Sequence, residues 1–124
     1  MFQRTRISLV GVGLLLVLGA VSAHAGDLPA SEAAKIEALL QHIAQQTDAV
    51  FIRNDKTYPA TIAARYLRDK WAATFVPVTT AHEFIAHIAS VSSTSGQPYR
   101  IRFPDGREMP TGEYLRLVLH RLEH

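Results

Sequence analysis

An uncharged apolar run near the amino terminus decides how much of this chain is available to fold. Residues 7–21 form a run of 15 without a charged side chain, after a head with two arginines and before the small-residue pattern Ala23-His24-Ala25. A basic head, a short apolar middle and a small-residue exit site make up an export signal. A membrane-spanning helix needs roughly 20 apolar residues, which this run does not supply. We therefore predict that residues 1–25 are a cleaved signal peptide. Residues 26–124 are then one domain, periplasmic or secreted, with no membrane span after cleavage.

The predicted domain has 99 residues and no cysteine. A chain of that length can build one core but not two. Because no disulfide is available in an oxidising compartment, the fold must be stabilised by buried apolar surface, at about 25 cal/mol per Å². Catalytic thiols and cysteine zinc sites are excluded, and the sequence predicts no cofactor.

The charge balance argues against a nucleic-acid partner. The whole chain has 13 lysines and arginines and 11 acidic residues. Arg4 and Arg6 belong to the predicted signal, so the domain itself is near neutral. Nucleic-acid binding requires a clustered surplus of Lys and Arg. We therefore predict that nucleic acid is not a partner.

Apolar residues recur at helical spacing in four segments. The predicted helices cover Ser31–Thr47, Pro59–Ala73, Thr80–Val91 and the residues from Thr111 to the carboxyl terminus. Ser31, Thr80 and Thr111 are predicted caps, because a hydroxyl can accept from the free amides of a helix start. Glu83 stands three residues after Thr80, which is the spacing of a capping box. Among the residues predicted to face the core are Ile62 and Tyr66.

Three further segments predict strands. Ala49–Arg53 is β-prone and precedes an Asn54-Asp55-Lys56 turn. Tyr99–Phe103 alternates apolar residues with arginines, which is the period-2 pattern of a half-buried strand. A Pro-Asp-Gly turn then leads to a return strand, Arg107–Met109. The predicted fold class is α+β, with about four helices packed on a small two- or three-stranded antiparallel sheet.

A hydroxyl-rich loop beside the arginine-bearing strand is the candidate site. The serine loop, residues 92–96, closes the third helix, with Gly96 suited to a left-handed stop. Hydroxyls, loop amides and arginines can together bind a carboxylate or phosphate. The candidate ligand-binding residues are Arg53, Tyr58, Ser92, Ser93, Ser95, Gly96, Tyr99, Arg100 and Arg102. The alternative interpretation of the strand arginines is a solvated outer face that protects a sheet edge.

Two catalytic interpretations were weighed against structural ones. His82, Glu83 and His87 resemble part of a zinc motif, but a spacing of five turns the two histidines about 140° apart on a helix. The serine loop could hold a nucleophile with His82 or His87 as base, yet the G-x-S-x-G pattern of a nucleophile elbow is absent. His120 and His124 are predicted to be solvated at the carboxyl end. No catalytic or metal-binding residue is assigned.

Several short motifs together resemble one family. The specific segment is Ser92-Ser93-x-Ser95-Gly96-x-Pro98-Tyr99-x-Ile101. Weaker motifs accompany it: Phe51-Ile52-Arg53-Asn54 with Tyr58, Leu67-x-x-Lys70, Thr80-Ala81 with Phe84-Ile85, Ala89-Ser90, and Asp105-Gly106 with Tyr114-Leu115. Over Phe51–Leu122 the chain resembles the YfeK-like family of small exported bacterial proteins, a domain of unknown function. The resemblance implies an exported domain and supplies no activity.

The function that follows from the sequence is a non-enzymatic binding or interaction domain. Its predicted partner is an anionic small molecule or another cell-envelope protein. The alternative is a small serine-dependent hydrolase that uses the serine loop. A third possibility is a protein inhibitor or assembly partner, whose contact surface would be Leu117, which points away from the apolar stripe of its helix, and the outer strand face.

Overall fold

A computed structural model describes residues 28–124, so the predicted signal peptide 1–25 and its cleavage site lie outside the described residues. The elements are α1 (Ala30–Ala44), β1 (Val50–Arg53), β2 (Lys56–Pro59), α2 (Ala60–Ala73), α3 (Ala81–His87), β3 (Arg100–Arg102), β4 (Glu108–Pro110) and α4 (Thr111–Glu123). The predicted α+β class with four helices is confirmed. Within the described part of the chain, no helix is long and apolar enough to cross a bilayer.

The sheet has four antiparallel strands in the order β2-β1-β3-β4, one more than the upper value of the two or three that were predicted. The missed strand is β2, which sequence reasoning assigned to a turn and a helix start. Asn54 and Asp55 both have positive φ, 51° and 67°. Two such residues close a hairpin whose twist matches that of the strands, so pairing resumes at Lys56.

The register assigns opposite faces to neighbouring residues. Phe51 pairs with Ile101, which pairs with Met109, and these three face the helices. Val50 pairs with Arg102 on the other face. Helix α2 packs on β1 and β2, and α4 packs on β3 and β4. One face of the sheet is therefore the core face, and the opposite face, with Arg102, is the outer face.

The helices bury the apolar stripes that their spacing predicts. In α1 the buried residues are Ile36, Leu39, Leu40 and Ile43. Phe84 and Ile85 of α3 and Leu115 of α4 are fully buried. Trp71 lies edge-on to Phe84, with ring centroids 5.5 Å apart. Burial of these side chains is the main stabilising contribution in a chain without disulfides.

Helix α3 begins as predicted but ends four residues early. Thr80 Oγ1 accepts from the Glu83 amide at 3.0 Å, and the Glu83 carboxylate accepts from the Thr79 amide at 2.8 Å. The predicted end at Val91 is wrong, because the helix ends at His87, and beyond this end Ser90 Oγ donates to the Ile85 carbonyl at 2.6 Å. Val91 is exposed and forms an isolated bridge with Pro98 instead.

Prolines begin three of the helices in residues 28–124. Pro29, Pro59 and Pro110 hold the N-cap positions of α1, α2 and α4, with φ between −59° and −70° and no side-chain cap. Proline fixes φ in this range without needing a hydroxyl. The predicted capping roles of Ser31 and Thr111 are therefore wrong, since both residues lie inside their helices.

Candidate binding site

Three residues form a row on the core face, one position beyond the ends of the β1 and β3 pairing. Arg53 follows Phe51 by two, Tyr99 precedes Ile101 by two, and the Thr111 amide donates to the Tyr99 carbonyl at 2.8 Å. Because side chains alternate between faces with period 2, all three lie on the side of the helices. We call Arg53, Tyr99 and Thr111 the inner row.

A cavity of about 80 Å³ separates the inner row from helix α2. Its apolar walls include Phe51, Ile62, Ala63 and Leu67, and the hydroxyl-bearing Tyr58 and Tyr66 complete it together with the inner row. We call this cavity the tyrosine pocket. Ile62 and Tyr66 were predicted to face the core, but each is 36% exposed. They line the pocket and do not close the core.

Tyrosines surround the two cations at this site. The Arg53 guanidinium carbon lies 4.8 Å from the Tyr66 ring centroid, and Arg53 Nη1 donates to Tyr58 Oη at 3.3 Å. The rings of Tyr66 and Tyr99 meet edge-on with centroids 6.2 Å apart. Lys70 Nζ donates to Tyr99 Oη at 2.9 Å and to the Val91 carbonyl at 2.8 Å. Lys70 therefore contacts the pocket through a tyrosine that lines it.

The site is positively charged and partly dehydrated. Within residues 28–124, neither Arg53 nor Lys70 forms an ion pair with a carboxylate. Burial lowers the pKa of Lys70 below its usual 10.5, and the Arg53 charge lowers this pKa further. Burial raises the pKa of the Tyr99 phenol, with a second contribution from the hydrogen bond to Tyr66. Tyr99 is thus a neutral hydrogen-bonding group beside two cations.

Two residues that line the pocket each have one buried polar atom without a hydrogen-bond partner in the described protein, namely Arg53 Nε and Thr111 Oγ1. A third such atom, Tyr114 Oη, lies outside the pocket lining. Buried polar groups are nearly always hydrogen-bonded, so such atoms are unusual.

The serine loop is ordered by contacts with the β1–β2 turn. Ser92 is 2% exposed, and its Oγ accepts from Asn54 Nδ2 at 3.3 Å, while Ser95 Oγ donates to Asn54 Oδ1 at 2.5 Å. The Gly96 amide donates to the Ser92 carbonyl at 2.8 Å, and Gly96 has the positive φ, 74°, that such a turn requires. Ser93 is exposed. None of these loop residues lines the tyrosine pocket.

The arginines of β3 lie on the outer face. Arg100 Nε donates to Glu108 Oε1 at 3.1 Å, and Arg102 Nε donates to Glu108 Oε2 at 2.8 Å. These two hydrogen bonds lower the Glu108 pKa, the one from Arg102 more strongly. The pleat therefore separates these two arginines from Arg53, and neither lines the tyrosine pocket.

Comparison with known proteins assigns the chain to a family. The model of the Family of unknown function (DUF5329) matches residues 30–123. This chain belongs to that family. The uncharacterized protein YfeK of Salmonella typhimurium strain LT2 is 39% identical over 88 residues, which cover 71% of this chain and 70% of YfeK. No solved structure matches the chain significantly. The predicted resemblance to YfeK-like proteins is confirmed.

The predicted site of this DUF5329 chain is thus divided among three places. The pocket brings together Arg53, Tyr58 and Tyr99 from the predicted set. The members of the predicted set that lie elsewhere are Ser92, Ser93, Ser95 and Gly96 in the serine loop and Arg100 and Arg102 on the outer face. Sequence reasoning did not place Tyr66, Lys70 or Thr111 at the site. A signal for the first two existed, since a tyrosine and a lysine four apart share a helix face.

The histidines form separate surface contacts in this family member. His82 Nε2 lies 3.3 Å from Glu123 Oε1, and the rings of His120 and His124 lie with their centroids 4.3 Å apart and their planes tilted by 32°. In residues 28–124 no group of three or more His, Cys, Asp or Glu side chains is arranged to hold a metal ion. Over the same residues, no hydroxyl of the serine loop is hydrogen-bonded to a histidine.

Proposed function

We propose that this protein is an exported, non-enzymatic binding domain that holds a small anionic ligand in the tyrosine pocket. One observation carries the proposal. The guanidinium of Arg53 lines an apolar cavity with tyrosines as its neighbours, and Lys70 adds a second positive charge nearby. Two cations without a carboxylate partner in the described chain favour an anion, because burial and then the Arg53 charge oppose the charging of Lys70.

The chemistry of the neighbours supports binding over catalysis. The raised pKa of Tyr99 keeps its phenol protonated, so it acts as a hydrogen-bond donor and not as a nucleophile. Arginine offers several N–H donors in a planar fork that matches carboxylate and phosphate oxygens. Most of the walls are aromatic or aliphatic, and surroundings of low polarity strengthen a charge interaction inside the pocket.

The binding proposal is tested with anions and one pair of arginine variants. Benzoate, phenyl phosphate and inorganic phosphate are titrated into the purified protein, and the melting temperature is followed, since a ligand that binds only the folded state raises it. For any anion that raises the melting temperature of the wild type, Arg53→Gln is expected to lower the affinity about tenfold or more. Hydrogen bonds to charged groups contribute roughly 1.5–3 kcal/mol, and about 1.4 kcal/mol corresponds to tenfold.

The matched control is Arg102→Gln, because this arginine is also on a strand but lies on the outer face. It is expected to leave anion binding unchanged. Equal losses in both variants would mean that the anion binds through general surface charge. Anion binding that survives Arg53→Gln unchanged would remove the pocket from the proposal.

The export proposal is supported by the amino-terminal pattern and is tested separately. The full chain with a carboxyl-terminal tag is expressed in a Gram-negative host, and the mass of the exported product is measured. A product beginning at Gly26 is expected. Ala25→Leu is expected to block cleavage, whereas Ala20→Leu, inside the apolar run, leaves it intact. Retention of the full-length wild-type chain in the cytoplasm would contradict export.

A further inference from the structure

A third cation lies at the rim of the tyrosine pocket. Lys56 is the β2 residue directly opposite Arg53 in the register of β1 and β2. Residues directly opposite each other in a sheet lie on the same face, with Cβ atoms about 4.5–5.5 Å apart. Lys56 is therefore on the core face, the side on which Phe51 and its partner Tyr58 line the pocket. Its side chain is exposed and is not part of the lining, so it adds a positive charge at the rim.

The charges of Arg53 and Lys56 repel each other across the β1–β2 hairpin. Like charges directly opposite each other destabilise a sheet. Among residues 28–124, no ion pair involves either cation or the carboxylate of Asp55, which lies between them in the turn. Burial, and then the Arg53 charge, lower the pKa of Lys70, so repulsion also acts between Arg53 and Lys70. An anion that contacts both Arg53 and Lys56 relieves this repulsion, and two negative charges match the pair.

The phenols of the pocket are arranged to donate hydrogen bonds. Tyr58 Oη accepts from Arg53 Nη1 at 3.3 Å. Tyr99 Oη accepts from Lys70 Nζ at 2.9 Å and donates to Tyr66 Oη at 3.5 Å. A hydroxyl that accepts a hydrogen bond directs its own proton elsewhere, so Tyr58 and Tyr66 each have a proton to donate. These donors favour a ligand whose oxygen atoms only accept, as those of a fully ionised phosphate do.

The cavity itself accepts a compact apolar group. A cavity needs about 10–15 Å³ by this measure to hold one water molecule, so about 80 Å³ corresponds to roughly five to eight atoms. Most of the lining side chains are apolar or aromatic, including Phe51, Ile62 and Leu67. A ligand that fits this site therefore has an apolar end in the cavity and a charged end at the rim.

Building on the proposed function, we propose that the protein binds a phosphate monoester of a compact apolar group. The apolar group occupies the tyrosine pocket, and the phosphate lies at the rim between Arg53 and Lys56. A phosphate monoester carries a charge of about −1.5 to −2 at pH 7, which matches both cations. A carboxylate or a sulfate ester carries a single charge and leaves one of them unmatched.

The decisive comparison is between phenyl phosphate and phenyl sulfate, which have the same ring and a similar shape but differ in charge. Their affinities are measured by calorimetry at about pH 7.5, and the wild type is expected to bind the phosphate about tenfold tighter. Lys56→Gln should reduce this preference about fivefold, because the second charge loses its partner. Arg121→Gln is the control, since this exposed arginine near the end of α4 is outside the pocket lining, and it should leave the preference unchanged.

The pH dependence of binding gives a second, independent readout. The second ionisation of a phosphate monoester has a pKa of about 6, whereas a sulfate ester keeps its single charge over this range. The affinity for phenyl phosphate is therefore expected to fall about tenfold from about pH 7.5 to about pH 5, and the affinity for phenyl sulfate should stay nearly constant. Among the described residues that line the pocket there is no Asp, Glu or His, so the change is assigned to the ligand.

The outcomes separate this inference from the proposed function. Equal affinities for phenyl phosphate and phenyl sulfate, or a preference that survives Lys56→Gln, would overturn the phosphate monoester and leave the anion site standing. Inorganic phosphate that binds as tightly as phenyl phosphate would overturn the apolar group. Absence of binding by all of these anions would overturn both proposals. The melting temperature of each unliganded variant is measured on the same samples, so a folding defect is not mistaken for lost binding.

Discussion

The two faces of the sheet carry arginines in opposite surroundings. On the outer face, Arg100 and Arg102 share the carboxylate of Glu108 and are about two-fifths exposed. On the core face, Arg53 meets the hydroxyl of Tyr58 and the ring of Tyr66, with no carboxylate contact in residues 28–124. The same side chain is thus a solvated ion-pair partner on one face and an unmatched charge on the other.

The difference shows where electrostatic interactions matter in this protein. Ion pairs between exposed side chains stabilise little, because water and salt screen them. A charge beside an apolar cavity is screened far less and responds strongly to a ligand. The core face is therefore where binding chemistry is expected, and the outer face is expected to tolerate change.

Replacing a core-face residue should have the largest effect on stability. Ile101 lies between Arg100 and Arg102 in the sequence, but its side chain is on the core face and is fully buried. Ile101→Ala is expected to lower the free energy of unfolding by about 2–5 kcal/mol, because it removes buried methyl groups and leaves a cavity. Arg102→Ala, one residue later, is expected to have only a small effect. Urea unfolding of both variants measures the difference, and similar losses would mean that the two faces are not distinct.

Replacing a residue of the β1–β2 turn, which orders the serine loop, should have the second-largest effect on stability. Asn54 has positive φ and hydrogen-bonds Ser92 and Ser95, so Asn54→Ala loses both a tolerated conformation and two contacts. The expected loss is about 1–3 kcal/mol. Glycine adopts a positive φ without strain, so the stability loss in Asn54→Gly should be about 1 kcal/mol smaller than in Asn54→Ala. Equal losses for the two variants, measured by urea unfolding, would show that the backbone conformation contributes little.

The core-face cations should affect stability at alkaline pH. Burial, and then Arg53, lower the pKa of Lys70 in the folded state, so protonated Lys70 destabilises the fold. Stability is expected to rise as pH increases through the folded pKa toward the unfolded pKa, since the unfolded chain then binds more protons. The raised pKa of Tyr99 acts in the opposite direction above its usual 10, so the test is confined to lower pH.

Unfolding free energies between about pH 8 and 10 compare the wild type with Lys70→Met and Lys56→Met. The rise should disappear in Lys70→Met and persist in Lys56→Met, whose side chain lies on an exposed edge strand. A rise of equal size in all three proteins would assign it to other groups.

Replacing a residue of the outer face should have the smallest effect on stability, and this effect should be seen only at acidic pH. Hydrogen bonds from Arg102 first, and then from Arg100, lower the pKa of Glu108 in the folded state. Its contribution to stability is present above its usual pKa of 4.5 and is lost as pH falls through the folded pKa. Glu108→Gln should therefore reduce the acid-induced loss, while Glu113→Gln, in the first turn of α4, serves as the control. Identical acid profiles for the wild type and Glu108→Gln would contradict the assignment.

Much of the fold could be predicted because its signals are local. The stripe from Ile36 to Ile43 and the capping pair Thr80 and Glu83 each lie within one element, so spacing alone reveals them. Strand β2 was not predicted because Lys56–Pro59 offers only two β-prone residues, Thr57 and Tyr58, and becomes a strand by pairing with β1. The end of α3 was mispredicted because Val91 continues the apolar spacing of the helix in the sequence but pairs with Pro98 in the structure.

The candidate site was predicted only in part, because its members come from distant segments. Arg53 and Tyr99 were expected at one surface, and they do line one pocket. Arg100 was expected with them, but it lies one residue from Tyr99 and therefore on the opposite face. Thr111 was expected to cap a helix, and its place beside the pocket depends on the pairing of β4 with β3.

By itself, the sequence determined the family, the α+β class and the apolar stripes that form the core, because composition and periodicity act over short stretches of chain. Only the tertiary structure decided which arginine faces the helices, that Tyr66 and Thr111 line one cavity with Arg53, and that Lys70 contacts this cavity through Tyr99. The physical reason is that strand register sets the face of every side chain, and register depends on pairing between segments far apart in the chain.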